Sequence, residues 1–197
     1  MSGVVGTVRL AGAADTVESA RLHTVGIRDG FLPKLGPSVL RRLHRRMSRD
    51  EGSFVLVTGE PGRVTGFVAG TVSVGALYRS FLLRDGPVAA VLAAPRVTEV
   101  WRPALETLRY PSRSDPAWPA AELLAIAVSD DARQRGLGRA LTLAFQDELR
   151  RRGVDRAKVV VASDNPAAIG LYRSCGFQLA GSVEVHAGHH SEVLVWP

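Results

Sequence analysis

Cysteine is nearly missing from this chain. Cys175 stands alone among 197 residues, which excludes an internal disulfide and a cysteine-rich zinc site. Lysine is almost as scarce, since Lys34 and Lys158 are the only lysines among 25 basic residues. No apolar run is long enough to cross a membrane, and the first residues lack the apolar stretch of a secretion signal. The expected location is therefore the cytoplasm, with no membrane partner. Internal repeats and low-complexity segments are absent. Aromatic residues make up 6% of the chain, and none is interleaved with the densest basic stretch, as base stacking would require.

What remains is an ordinary globular composition, 46% hydrophobic. At this length it is enough for one domain over residues 1–197 with a full core. The formal charge is +6, carried mostly by arginine. Alanine, glycine and valine are plentiful, a bias that points to a GC-rich bacterial genome. A positive surface favours an anionic ligand.

The chain is organised around residues 122–152. Leu123 to Val128 is an unbroken apolar run, the pattern of a strand buried on both faces. A polar turn follows, and then Arg133-Gln134-Arg135-Gly136-Leu137-Gly138-Arg139-Ala140. An amphipathic helix comes next, its stripe marked by Ala140, Leu141, Ala144, Phe145 and Leu149. Arg150 to Arg152 and Gly153 suit its negative end. A glycine-rich turn running into a helix N-terminus exposes backbone N–H groups, and three arginines add full charge. Together they form an anion cradle built mostly from backbone. No Gly-Lys-Ser/Thr follows, so this is not a Walker loop. The third glycine of a dinucleotide fingerprint is also missing. Taken alone, the short motif is equally compatible with an ordinary strand-to-helix turn.

A second stretch decides the matter. Asn165-Pro166-Ala-Ala-Ile-Gly-Leu-Tyr172-Arg-Ser-Cys-Gly176-Phe177 lies one strand further on. R-x-x-G-x-G after a buried strand, then N-x-x-A-x-x-x-Y-x-x-x-G-F, resembles the GNAT acetyltransferase superfamily. The two motifs span about the C-terminal two-fifths of the chain. The resemblance implies a mixed, twisted α/β sheet of about seven strands with helices on both faces. A V-shaped split is expected between Leu123–Val128 and Lys158–Ala162.

Along the rest of the chain, Val4 to Leu10 reads as a first strand and Ala13 to Val25 as a helix. Gly30 to Pro37 is a break. Ser38 then caps a helix from Val39 to Arg49. Its arginines, at 41, 42, 45, 46 and 49, read as a solvated face with Val39, Leu40, Leu43 and Met47 inward, rather than as a nucleic-acid patch. Phe54–Thr58 and Val64–Val74 form a hairpin, with Gly66 and Gly70 as bulge or close-approach sites. Residues 75–119 depart from the family's minimal pattern, because about 45 residues separate these strands from the next. Leu77–Arg84, Pro87–Ala94 and Val97–Tyr110 look helical. This helical insertion between the third and fourth strands is either a cap over an acceptor, carrying Tyr78, Phe81, Trp101 and Tyr110, or an insert for packing or homodimerisation. Asn165 is a good N-cap with Pro166 at the first helical position. Phe177–Val185 and Glu192–Trp196 are the last strands.

The resemblance also implies an activity: transfer of an acetyl group from acetyl-CoA, as co-substrate, to an amine. The diphosphate would lie on Arg133 to Ala140. The backbone of Ile126, Ala127 and Val128, with a bulge, would serve the thioester and the pantetheine arm, and Asn165 would reach that arm or support the splayed strands. Tyr172 is implied as general acid to the departing sulfur; its other reading is a half-buried aromatic on an amphipathic helix. Glu122 is implied as general base, directly or through water, against a reading as an exposed strand-end glutamate. Cys175 reads as a small buried residue, and His189 with His190 as a solvated hairpin tip, so no metal is expected. Two alternatives remain open: a longer acyl-CoA donor, and a non-catalytic CoA-sensing or nucleic-acid-binding module.

Overall fold

The computed structural model describes residues 7–27, 36–93, 115–186 and 189–197. A seven-stranded mixed sheet carries the fold, with strand order β1-β2-β3-β4-β5-β7-β6. Its strands are β1 (Arg9–Leu10), β2 (Ser53–Glu60), β3 (Arg63–Thr71), β4 (Glu122–Val128), β5 (Ala157–Ala162), β6 (Gln178–His186) and β7 (His189–Trp196). The helices are α1 (Thr16–Gly26), α2 (Pro37–Met47), α3 (Val74–Ala93), α4 (Leu137–Arg151) and α5 (Pro166–Ser174). All neighbours in the sheet are antiparallel except β4 and β5.

Two apolar layers sandwich the sheet. On one face, Leu141, Phe145 and Leu149 of α4, with Ile169 and Tyr172 of α5, pack on Phe54, Val68, Leu123 and Val159. On the other, Leu22 of α1, Leu43 and Met47 of α2, and Leu77 of α3 cover Val55, Phe67, Ala69 and Ala125. Helix α4 sits close because β3 has glycine on either side of Val68, at Gly66 and Gly70. A Cβ on Gly70 would fall 2.5 Å from the Phe145 ring, and one on Gly66 would fall 3.1 Å from Leu141.

The boundaries differ from expectation at several elements, with α2 ending at Met47 and β7 beginning at His189. Helix α2 starts at Pro37, with Gly36 at φ 90° as its N-cap in place of Ser38. Proline fits the first helical position and glycine accepts the positive φ before it. Strand β3 stops at Thr71, where its hydroxyl bonds the carbonyl of Gly52 and the N–H of Ser73 and turns the chain into α3. The two helices expected at 77–84 and 87–94 are one helix that runs on through Pro87. The Gly30–Leu35 part of the expected break, Trp101, the expected helix at 97–110 and the first three residues of Val4 to Leu10 lie outside the described residues.

A buried polar contact joins α1 to α2. His23 Nδ1 lies 3.0 Å from His44 Nε2, and His44 Nδ1 lies 3.0 Å from Ser19 Oγ. Both rings pack on Phe67. Burial pushes the His23 imidazole down to about 4. It pushes His44 to about 3, with His23 adding to the effect. Unfolded histidine titrates near 6.5, so below that pH the unfolded chain binds protons that the folded chain refuses. Stability is expected to fall below about pH 6.5, by up to ~1.4 kcal/mol per pH unit for each histidine. Urea unfolding at pH 7 and pH 5 measures this, and equal stabilities would contradict it.

Candidate active site

Strands β4 and β5 run parallel but share only two registered pairs, Glu122 with Lys158 and Leu123 with Val159. Beyond Leu123 the strands part, as the V-shaped split requires. Helices fill the space on each face, and the gap lies between the strands themselves.

Backbone alternation decides which groups of β4 face that gap. Ser129 N donates to Thr65 O at 2.8 Å, and Ala127 pairs with Phe67 two residues earlier in the same ladder. Alternation then turns Ala127 toward β3, and Ile126 and Val128 toward the gap. Ile126 and Val128 therefore turn their backbone groups to the gap. Ala127 does not, because its backbone is committed to β3 and its side chain abuts the end of α1 near Gly26. The bulge also lies earlier than expected. Register passes from Ala69–Ala125 to Gly70–Leu123, leaving Leu124 as the extra residue. The extra residue breaks the alternation, so Leu123 joins the α4 layer while Leu124 and Ala125 both join the opposite one.

Past Val128 the chain makes a short 3₁₀ turn at Asp130–Ala132 and reaches the mouth of α4. Gln134 and Gly136 adopt positive φ, 60° and 76°. Gly136 is the N-cap, and a Cβ there would point into open space. The glycine therefore answers to backbone conformation rather than crowding. Leu137, Gly138 and Arg139 form the first turn, whose N–H groups have no intrahelical acceptor. No acidic side chain occupies that turn. Gly138 has a packing duty as well, since its Cβ would lie 3.3 Å from Leu171 of α5. Arg135 and Arg139 are exposed. Arg133 is held aside, paired with Asp130 at 3.0 Å and with its Nε 3.4 Å from Val128 O. Bare amides, positive charge and open space fit a diphosphate.

On the other side of the gap, Asn165 Oδ1 accepts the N–H of Ala168 at 3.0 Å and caps α5. Its acceptor is thereby used, and its exposed amide NH₂ is what remains for a ligand. Tyr172 is buried between α5 and the sheet, its ring tilted against Phe177 at 5.7 Å. No hydrogen bond within the described residues engages its hydroxyl. Burial, reinforced by Cys175, raises the phenol above its ordinary value, so it keeps its proton at neutral pH. Cys175 is buried, as expected. His190 is exposed on β7. Among the described residues no cluster of His, Cys, Asp and Glu could hold a metal ion.

Glu122 is not the exposed strand-end residue that one reading allowed. It is 7% exposed and forms an ion pair with Lys158 Nζ at 3.4 Å. Lys158 is 4% exposed and donates to Pro119 O at 2.7 Å. The Glu122 charge, after burial, also raises the phenol of Tyr78 on α3. The pair sits at the closed end of the V, where the β4–β5 ladder stops. Sequence reasoning took Lys158 as a strand residue only. The available signal was a lone lysine inside an apolar strand of a lysine-poor chain.

Comparison with known proteins agrees with this geometry. The GNAT acetyltransferase family model matches residues 26–177. The fold resembles the ribosomal-protein-S18-alanine N-acetyltransferase of Escherichia coli, with TM-score 0.60 and 19% identity over 98% of this chain and 93% of that one. It also resembles Ard1 from Thermoplasma volcanium, with TM-score 0.60 and 20% identity over 98% and 97%. A third likeness is yncA from Salmonella typhimurium, solved with its cofactor acetyl-CoA, with TM-score 0.61 and 20% identity over 97% and 92%. No curated protein matches the chain by sequence.

Proposed function

This chain belongs to the GNAT acetyltransferase family, and on that premise we propose that it moves an acetyl group from acetyl-CoA to a primary amine by direct attack. The observation that carries the reading is the parting of β4 from β5 after two pairs, with the bare amides of α4 beyond one strand and an unengaged phenol beyond the other. Acetyl-CoA, when bound, supplies the activated acyl carbon. Leu137, Gly138 and Arg139 hold the diphosphate through their N–H groups. Ile126 and Val128 offer backbone groups to the pantetheine arm, and Asn165 its amide.

The chain's own residues then handle protons. A lysine-type amine is charged at neutral pH, so it must lose a proton before it attacks. Glu122 accepts that proton through water, since its carboxylate is buried beside Lys158. Tyr172 donates its phenolic proton to the sulfur as the C–S bond breaks and the N–C bond forms. The new amide nitrogen sheds its second proton to solvent, and the phenol is restored from solvent. The whole chain acts as one domain, α3 flanks the acceptor side through Tyr78, and the enzyme works in the bacterial cytoplasm.

A panel of amines with acetyl-CoA, read by release of free thiol, tests the reading. Amine-dependent release is expected, with an acidic limb in the pH profile of kcat/KM that Glu122→Gln removes. Thiol release that no amine accelerates would refute the transfer. An unchanged profile in Glu122→Gln would remove the base alone.

A further inference from the structure

A second concentration of charge lies away from the V. Helix α2 carries Arg41, Arg42, Arg45 and Arg46, Arg49 lies two residues past its end, and all five line one groove of about 300 Å³ with Ser38 and Asp85 of α3. Helical spacing places Arg41 and Arg45 in one row, about 6 Å apart. Asp85 is the single carboxylate among the described residues of the groove. It accepts Arg42 Nε at 2.8 Å and Arg46 Nε at 2.7 Å. The same carboxylate meets Arg46 Nη2 at 2.6 Å.

Two consequences follow from this geometry. Five guanidinium groups against one carboxylate leave four unbalanced positive charges in a confined space. Asp85 also grips both arginines by the Nε edge. This leaves the outer Nη edge of Arg42 with no partner among the described residues. The two forks are fixed in place before any ligand arrives, so less side-chain entropy is lost on binding. Such an arrangement exceeds what a solvated helix face needs.

We propose that this groove is a binding site for a compact, multiply charged anion of the polyphosphate class, separate from the diphosphate cradle at α4. Guanidinium forks match phosphate oxygens two at a time. None of the described lining residues of the groove is aromatic, so these residues offer no platform for stacking successive bases of a nucleic-acid strand. Ser38 adds a hydroxyl donor. Asp85 opposes the anion directly, and its cost is offset only if several phosphate charges enter together. This requirement selects a polyphosphate over a single phosphate.

The test uses the full chain saturated with CoA, so that the α4 cradle is filled, and titrates it calorimetrically with inorganic tripolyphosphate. One further site is expected, weakening as salt is raised. The Arg41→Ala/Arg45→Ala variant alters two exposed side chains and should lose at least tenfold in tripolyphosphate affinity while keeping its affinity for CoA. Absence of tripolyphosphate binding to the wild-type chain would overturn the proposal. So would equal binding by the variant. A single-stranded DNA oligonucleotide that binds the groove where tripolyphosphate does not would assign it to a polymer and overturn the compact-anion reading.

Discussion

Phenylalanine in place of Tyr172 is expected to lower kcat by about 10²- to 10⁴-fold, the usual weight of one positioned proton donor. That corresponds to about 2.7–5.5 kcal/mol of transition-state stabilisation. The change removes one oxygen and leaves the ring against Phe177, so the fold should survive. No protein hydrogen bond within the described residues is lost with the hydroxyl. Burial holds the phenol protonated, so it serves as a donor across the neutral range. The interaction with sulfur strengthens only as charge develops there, so the loss should fall on kcat and leave KM for acetyl-CoA unchanged. Steady-state kinetics of Tyr172→Phe measures this. A variant that turns over at the wild-type rate would return Tyr172 to the role of a packed aromatic.

The second large effect concerns stability. Lys158→Met is expected to destabilise the fold by about 3–5 kcal/mol, because it takes the Lys158 ammonium away from the buried Glu122 carboxylate. The two groups are 3.4 Å apart with side-chain exposures of 4% and 9%, so solvent screens them little. Their positions are directly paired in the β4–β5 ladder. The loss therefore falls where two adjacent strands are held by only two registered pairs. Replacing both partners with apolar side chains, Glu122→Leu with Lys158→Met, should recover most of the stability, since both buried charges are then removed together. Denaturant unfolding of the wild type, Lys158→Met, Glu122→Leu and the double variant closes this cycle. A Lys158→Met protein as stable as wild type would show that the pair contributes nothing at the closed end of the V.

Much of this structure was legible in the order of residues, for identifiable reasons. The apolar run at Leu123–Val128 reads as a strand because only a strand covered on both faces tolerates it. The Asn165-Pro166 start of α5 reads correctly because capping is local chemistry, needing only an acceptor side chain and a residue without an N–H. Gly66 and Gly70 signal close approach, and Leu141 and Phe145 supply the partners. The inward set of α2 follows from helical spacing alone.

What stayed hidden depends on contacts distant in sequence. The bulge at Leu124 arises from register between β3 and β4, which no local pattern encodes. The turning of Ala127 away from the gap follows from the Ser129–Thr65 hydrogen bond. The pairing of Lys158 with Glu122, of His23 with His44, and of Arg42 and Arg46 with Asp85 all join elements at least 21 residues apart. Each of these residues reads differently alone: a strand lysine, a helix histidine, a solvated arginine. The start of α2 was misplaced for a smaller reason. Ser38 is a good cap by type, but Gly36-Pro37 offers the positive φ and the preset first turn together.

The central claim is that peptide N–H groups at the mouth of α4 hold a diphosphate and so direct a thioester into the gap between β4 and β5. A crystal structure of the protein with acetyl-CoA tests it most directly. The account predicts diphosphate oxygens within hydrogen-bond distance of the N–H groups of Leu137, Gly138 and Arg139, and the thioester between Ile126 and Tyr172. A diphosphate bound elsewhere, with the gap empty, would contradict it.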